Sequence, residues 1–441
     1  MIHITDKSHC CGCEACAQAC PKRCISFVED NEGFRYPNVD VSQCVDCGAC
    51  ERVCPFMSPH EARRPFNLHG AINPDEEVRL QSSSGGIFTM LAERVIREGG
   101  IVFGVRFNES WQPVFDHTET LQGLAAFRGS KYVQAQVGNA FNEVRDFLRQ
   151  GRKVLFAGTP CQVAALRHFL HREYDNLLCV DFICHGVPSP KVWRLYLNEV
   201  TENAVRAISD VQFRNKKQGW KRFNFDLTNN SEGHHYNISC YHRENHFMRI
   251  FLDNVILRPS CYDCKAKEGR SGSDLTIADF WGINKLLPEK DDDRGTSLVM
   301  VNTKKGEDYF QQCKAVTWEV QYDDVAKYNQ GFRNSPMHPK RNEFFEQLDN
   351  AESVVSLIDD TLRTPLLLRI KRFPKRLLRK LWHKIVGGNF EPAISPVGSQ
   401  RLIEVEESTL FHPVITGFTF RSKHYGWKRY RMVISISEKE Q

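Results

Sequence analysis

The sequence predicts a small cysteine-rich α+β domain, an α/β domain with a mixed sheet, and a basic helical C-terminal extension. Three observations carry that prediction. Eight cysteines fall in two matching runs before residue 55, strand-like and helix-like stretches alternate through the middle of the chain, and cations crowd an amphipathic stretch towards the end. With 26% charged and 41% hydrophobic positions over 441 residues, the composition is globular and excludes a disordered, collagen-like or coiled-coil chain. No apolar run reaches about 18 residues, and Met1 to Cys20 is polar and cysteine-dense, so neither a spanning helix nor a secretory signal is expected. A cytoplasmic location follows. Net charge is +5, yet Arg363 to Lys384 carries nine Lys/Arg and no acid, so the rest of the chain sums to −4 and offers no nucleic-acid surface.

Seventeen cysteines in a reducing compartment read as metal ligands before disulfides. Cys10, Cys13, Cys16 and Cys20, followed by Pro21, are repeated as Cys44, Cys47, Cys50, Cys54 and Pro55 at an offset of 34 residues. Three closely spaced thiolates wrap one face of a cubane cluster, and the fourth, a helical turn on, points to the other cluster. Crossing the ligands gives one set of Cys10, Cys13, Cys16 and Cys54, and another of Cys44, Cys47, Cys50 and Cys20. The doubled run resembles a two-cluster bacterial-type ferredoxin domain over residues 1–58, which implies two [4Fe-4S] clusters. Paired zinc knuckles share the Cys-x-x-Cys spacing and are the competing reading. Cys11 and Cys24 fall outside the pattern and read as bystanders, and Ile25 to Gln43 suggests a small hairpin.

Pro59, Arg63, Arg64 and Pro65 mark residues 59–79 as a linker. Beyond it, Ile101 to Phe107, Val154 to Ala157 and Leu177 to Ile183 read as strands. Ile87 to Arg97, Gly138 to Arg149 and Gln162 to His171 read as helices, an alternation that favours a parallel or mixed sheet covered by helices. No G-x-G-x-x-G follows any strand, so a Rossmann-type NAD site is not expected. Gln81, Ser82, Ser83, Ser84, Gly85 and Gly86 stand at a helix start, where hydroxyls, backbone N–H groups and the helix dipole suit a diphosphate. An ordinary serine cap with a glycine turn is the plainer reading. Gly158-Thr159-Pro160-Cys161-Gln162 follows one strand and Cys184-His185-Gly186 ends the next, with Cys261-x-x-Cys264 and a Ser273 to Gly282 segment farther on. Those cysteines are enough for one more cluster if the loops converge. Alternatively Cys161 and Cys184 are small buried residues and Cys261 and Cys264 bind zinc.

Taken in order, Ser83 to Gly86, Gly158 to Gln162, the Cys184 turn and the Cys261/Cys264 segment resemble the coenzyme F420 hydrogenase/dehydrogenase beta-subunit family, over roughly residues 1–345. The resemblance implies an iron–sulfur flavoprotein that passes electrons between clusters and a non-covalent FAD beside a substrate pocket in residues 80–345. It implies Cys161, Cys184, Cys261 and Cys264 as ligands of a third [4Fe-4S] cluster, and Ser82 to Gly86 with Gly129, Ser130, Lys131 and Tyr132 around the flavin. Ferredoxin-fused members occur among bacterial surface-polysaccharide gene products, which implies a small-molecule or lipid-linked glycan substrate and a ferredoxin-like electron donor.

A flavin converts between one-electron clusters and a two-electron substrate. Lys131 is a candidate to stabilise its reduced anion, and His185 to supply a proton or to donate to cluster sulfur. The plainer readings are a surface lysine beside a core tyrosine, and Asp274 and Asp279 as structural caps. Asp291 to Thr296 reads as a solvated loop or a mobile lid, and Phe213 to Trp220 as a clamp for an anionic substrate or a turn with exposed lysines. Residues 346–441 form the extension, in which Lys375 to Val386 places apolar and basic residues on opposite faces. Such a helix suits peripheral contact with the inner face of a membrane, or simple packing on the body. No residue is readable as a deazaflavin contact, so use of coenzyme F420 is not expected. The function read from all this is an iron–sulfur flavoprotein oxidoreductase. An electron-transfer subunit docking a separate catalytic subunit is the alternative, and an interaction protein with structural zinc a third.

Overall fold

The computed structural model describes residues 1–229 and 237–363. The basic stretch at 375–386, where an amphipathic helix is expected, lies outside the described residues.

Near the N-terminus each four-cysteine run closes on one short helix, Ala15–Gln18 and Ala49–Arg52. Between them β1 (Ile25–Glu29) pairs antiparallel with β2 (Arg35–Val39), the expected hairpin, turned by Asp30, whose carboxylate accepts from Glu32 and Phe34 N–H. The hairpin tip is anchored in the body: Phe34 is fully buried and joins the cluster of Trp193, Phe213, Phe225 and Phe247. Burying each such side chain stabilises the fold by about 1.5–3 kcal/mol relative to leaving it in water.

The body is built on an eight-stranded mixed sheet. Its strands are β3 (Asn67–Ile72), β4 (Ile101–Phe107), β5 (Pro113–Thr118), β6 (Val154–Ala157) and β7 (Leu177–Phe182), and, past a separate three-stranded sheet of β8 (Ile208–Asn215), β9 (Asn224–Asn229) and β10 (Asn237–Tyr241), β11 (Leu275–Asp279), β12 (Ser297–Val301) and β13 (Val316–Glu319). The order is β13-β3-β12-β11-β7-β6-β4-β5, with β4, β6, β7 and β11 parallel and the flanking pairs antiparallel. The parallel strands are buried on both faces and read as continuous apolar runs such as Leu177 to Val180. Helices Ile87–Arg97, Ala140–Arg149 and Pro160–Leu170 form where expected. The last has a Thr159–Gln162 capping box and proline at its first turn.

The stretch 59–79, expected to be a linker, contains β3. Its signal is weak because Gly70 interrupts it, and the sheet needs that glycine: a Cβ there would meet the Trp318 indole Nε1 at 2.2 Å. The Asp291 to Thr296 run is likewise more firmly held than a solvated loop. Arg79, 1% exposed, donates to both oxygens of Asp292 at 2.8 and 2.7 Å and to the Gly295 carbonyl at 2.9 Å.

Candidate functional site

The parallel strands aim their C-terminal ends at one edge of the sheet, the usual place for a ligand in an open α/β sheet. The Gly158 to Cys161 segment leaves β6 there, and Cys184 leaves β7. Gly186 (φ +143) turns the chain after Cys184, and a Cβ on it would meet the Leu257 and Cys261 side chains at 2.9 and 3.2 Å. Cys161, Cys184, Cys261 and Cys264 thus line a single hollow, with Cys11, Phe56 and Lys267 also on its wall. Burial pushes Cys261 up to about 11 and Cys264 up to about 12, each neighbouring thiol adding to the shift. Cys161 moves the other way, to about 7, because a hydrogen bond from Cys11, aided by Thr159 and the charge of Arg258, outweighs burial.

A second hollow, at the N-terminal surface, is lined by Cys20, Cys44, Cys47 and Cys50, with Cys24 beside them. Cys47 is exposed there. The remaining four cysteines, Cys10, Cys13, Cys16 and Cys54, are buried together. Burial, and then the Cys13, Cys10 and Cys54 sulfurs in turn, push the Cys16 thiol far above its ordinary range. The fold brings Cys20, Cys44, Cys47 and Cys50 to one place and Cys10, Cys13, Cys16 and Cys54 to another. Four thiols this close resist ionising together unless cationic charge sits among them, so the donor sets fit iron–sulfur clusters. Among the described residues no three His, Cys, Asp or Glu side chains could hold a single metal ion. The outer set and the set at the sheet edge each line a hollow, as the corner ligands of a cubane do.

Cys11 and Cys24, expected to stand apart, do not. Cys24 Sγ lies 3.4 Å from Cys20 Sγ, and Cys11 packs with both Cys13 and Cys161 and lines the hollow, so it lies between the inner set and the sheet edge. The contact of Cys11 with Cys161 carries no signal in the spacing because it is made by folding across 150 residues. Arg258 and Lys267 were missed for the same reason. Arg258 is fully buried and donates to the Cys10 carbonyl at 2.6 Å, and Lys267 Nζ donates to the Arg333 carbonyl at 2.8 Å.

The residues expected around a flavin fit that group only in part. The two segments do meet: Ser130 donates from its N–H (2.8 Å) and its hydroxyl (2.9 Å) to Ser83 Oγ. Yet Ser82 Oγ donates to the Val78 carbonyl, Ser84 Oγ to the Thr296 carbonyl, and Gly85 N–H to Ser297 Oγ. These donors, reserved in the sequence reading for a diphosphate, instead hold the loop to the sheet. Lys131 donates to the Arg128 and Gly129 carbonyls and has no acid beside it, and burial brings it down to about 7. Tyr132 packs on Phe251 with ring centroids 4.9 Å apart, and its hydroxyl accepts from Arg214 at 3.4 Å. His185 stands edge-on to the same Phe251, its Nε2 buried without a partner, and burial lowers its pKa. Asp274 accepts from Arg167, Thr303 and the Cys179 N–H, and Asp279 pairs with Arg214 and Trp220. Of the Phe213 to Trp220 clamp, Arg214 is buried on β8 and Lys216 donates to three backbone carbonyls.

Two cysteine sets in the N-terminal domain and a third at the end of the α/β sheet mark the chain as an iron–sulfur electron-transfer protein. Residues 9–58 match the 4Fe-4S dicluster domain, and residues 151–323 match the C terminus of the coenzyme F420 hydrogenase/dehydrogenase beta subunit. The chain therefore joins a ferredoxin-type domain to a domain of the coenzyme F420 hydrogenase/dehydrogenase beta-subunit family. A chain of the F420-reducing [NiFe] hydrogenase complex from Methanosarcina barkeri, solved with xenon, superposes with a TM-score of 0.42 at 16% identity, over 66% of this chain and 95% of that one. No curated protein matches in sequence. Among the described residues no helix is long and apolar enough to cross a membrane.

Proposed function

We propose that the protein takes electrons from a ferredoxin-like donor at its exposed N-terminal hollow and passes them inward to the sheet edge, where an organic substrate is reduced. Cys20, Cys44, Cys47 and Cys50 would hold an outer [4Fe-4S] cluster, Cys10, Cys13, Cys16 and Cys54 an inner one, and Cys161, Cys184, Cys261 and Cys264 a third. Such clusters supply one-electron transfer. The protein's own part is to order the three sites by depth. Cys47 is open to a donor, the inner set is closed from water, and Cys11 connects that set to the sheet edge. The observation that carries the reading is the meeting of four cysteines from three separate segments in one hollow.

A non-covalent FAD on the Ser83–Ser130 and Lys131–Tyr132 side completes the proposal, with a sugar or polysaccharide precursor as substrate. The alternative is a subunit that hands electrons to a separate catalytic protein. Exposed Val28, Val41, Val45 and Met57 in the N-terminal domain, with Val45 on the wall of the hollow, favour a protein partner there, which either reading needs. Anaerobically reconstituted protein should bind about twelve irons per chain, four for each of three clusters, and release flavin on denaturation. Flavin without substrate turnover would select the docking subunit. Zinc in place of iron would sink both.

A further inference from the structure

We propose that Arg258 is a counter-ion shared by the inner and third iron–sulfur sites, placed to favour the arrival of an electron at both. The inference rests on the ligand sets proposed above. A fully buried guanidinium needs a negative partner, ordinarily a carboxylate. Arg258 has none. It donates from Nε to the Cys10 carbonyl at 2.6 Å, from Nη1 to Gln134 Oε1 at 3.0 Å, and from Nη2 to the Arg35 carbonyl at 3.0 Å and Cys10 Sγ at 3.5 Å. Its negative counterparts are therefore sulfurs. Cys10 belongs to the inner set, while Cys261 of the third set follows Arg258 by three residues, its N–H donating to the Arg258 carbonyl at 2.9 Å, and Cys161 and Cys261 both feel the same charge.

The surroundings are shaped to hold the guanidinium in that place. Gly12, inside the Cys10–Cys13 loop, has φ +69, and a Cβ on it would meet Arg258 Nη1 at 2.8 Å and Cζ at 2.9 Å. Only glycine admits the guanidinium so close to the loop. The rings of Tyr36 and Phe34 lie 4.3 and 5.4 Å from Cζ and keep water away, which strengthens the charge's reach. Glu14 also feels the Arg258 charge, but its carboxylate accepts hydrogen bonds from Arg35 and the Gly138 N–H and none from Arg258. Lys267 is the one Lys or Arg among the described residues on the wall of the third hollow.

A thiolate-ligated cluster is already anionic and gains one more negative charge with each electron, with no bond made or proton moved. A nearby cation and an N–H···S hydrogen bond favour that reduced form. In the test the electron comes from dithionite, which is oxidised in step. The experiment is an EPR-monitored redox titration of the anaerobically reconstituted full chain, with iron counted for each variant. In Arg258→Gln, the oxidised-to-reduced ratio of the inner cluster at the wild-type midpoint should rise about ten-fold, which is 59 mV for a one-electron couple. The third cluster should shift the same way by a smaller factor, and Arg258→Lys, which keeps the charge, should stay within about three-fold of wild type. Gln134→Glu keeps Arg258 in place and sets a carboxylate against it, so it should lower the midpoint too and decides the matter if Arg258→Gln does not retain iron. Wild-type iron with wild-type midpoints in the variants that load would overturn the role of Arg258 alone. A wild-type chain that binds no iron would overturn the cluster reading and this inference with it.

Discussion

The two hollows are made in opposite ways. The N-terminal one draws Cys44, Cys47 and Cys50 from a single turn and needs only Cys20 from the matching run, within a segment of about fifty residues. The one at the sheet edge draws Cys161, Cys184, Cys261 and Cys264 from segments up to 103 positions apart, and exists only because β6 and β7 lie side by side and Gly186 lets the Leu257 to Cys261 segment approach. A site built from local spacing can tolerate loosening of the body. A site built from strand ends depends on the whole sheet, and its four cysteines are all partly buried whereas Cys47 of the N-terminal hollow is exposed.

That contrast is sharpest in single cysteine variants. Cys184→Ser should bind about eight irons instead of about twelve, and should also raise amide exchange through 158–161 and 258–264, because those loops lose their common anchor. Cys47→Ser should lose the same amount of iron while leaving exchange in the body unchanged. Equal disturbance of the body by both variants would erase the distinction between the two sites.

A smaller effect is expected where the N-terminal hairpin is tied to the body. Arg341, 4% exposed, donates to both oxygens of Glu32 at 2.8 and 2.5 Å and to the Leu257 carbonyl at 3.1 Å. Removing one partner of a buried pair costs about 3–5 kcal/mol. Arg341→Ala should therefore speed exchange of the Gly33 and Phe34 amides by on the order of 100-fold, since about 1.4 kcal/mol is one decade. Unchanged exchange would mean that Phe34 packing alone holds the hairpin.

The mildest test concerns β7 itself. Burial pushes Asp181 up to about 6 against hydrogen bonds from Ser271, Thr276 and Ser273. A carboxyl whose folded value lies above its unfolded one near 4 takes up a proton on folding. Its stabilising contribution is complete below pH 4 and is lost as pH rises through 6. At about 1.36 kcal/mol per unit, wild type should lose on the order of 2–3 kcal/mol between pH 4 and 7 relative to Asp181→Asn, read from paired urea titrations. Parallel pH profiles for the two proteins would show that Asp181 does not change its protonation on folding.

The alternation of apolar strands and amphipathic helices from Ile87 to Leu177 was legible because each element carries its own period, and the helices form within two residues of the predicted starts. β3 was not, since Gly70 answers to Trp318, a residue 248 positions away. At the site, the two cysteine runs announce themselves because a cluster's ligand geometry is written into a span of ten residues. Serine and glycine before the Ile87–Arg97 helix looked like a free cradle, whereas Thr296 and Ser297 occupy much of it.

What the order of residues determined was therefore local: thiolate spacing, strand and helix periods, and the caps and turns that end them. Which cysteines share a hollow, that Cys11 bridges two sets, and that a carboxylate-free Arg258 lies against Cys10 were decided by the tertiary structure alone. The reason is distance along the chain. Hydrogen bonds and charges act over a few ångströms of space, and only the packed sheet brings residues 10, 161, 184 and 258 within that range.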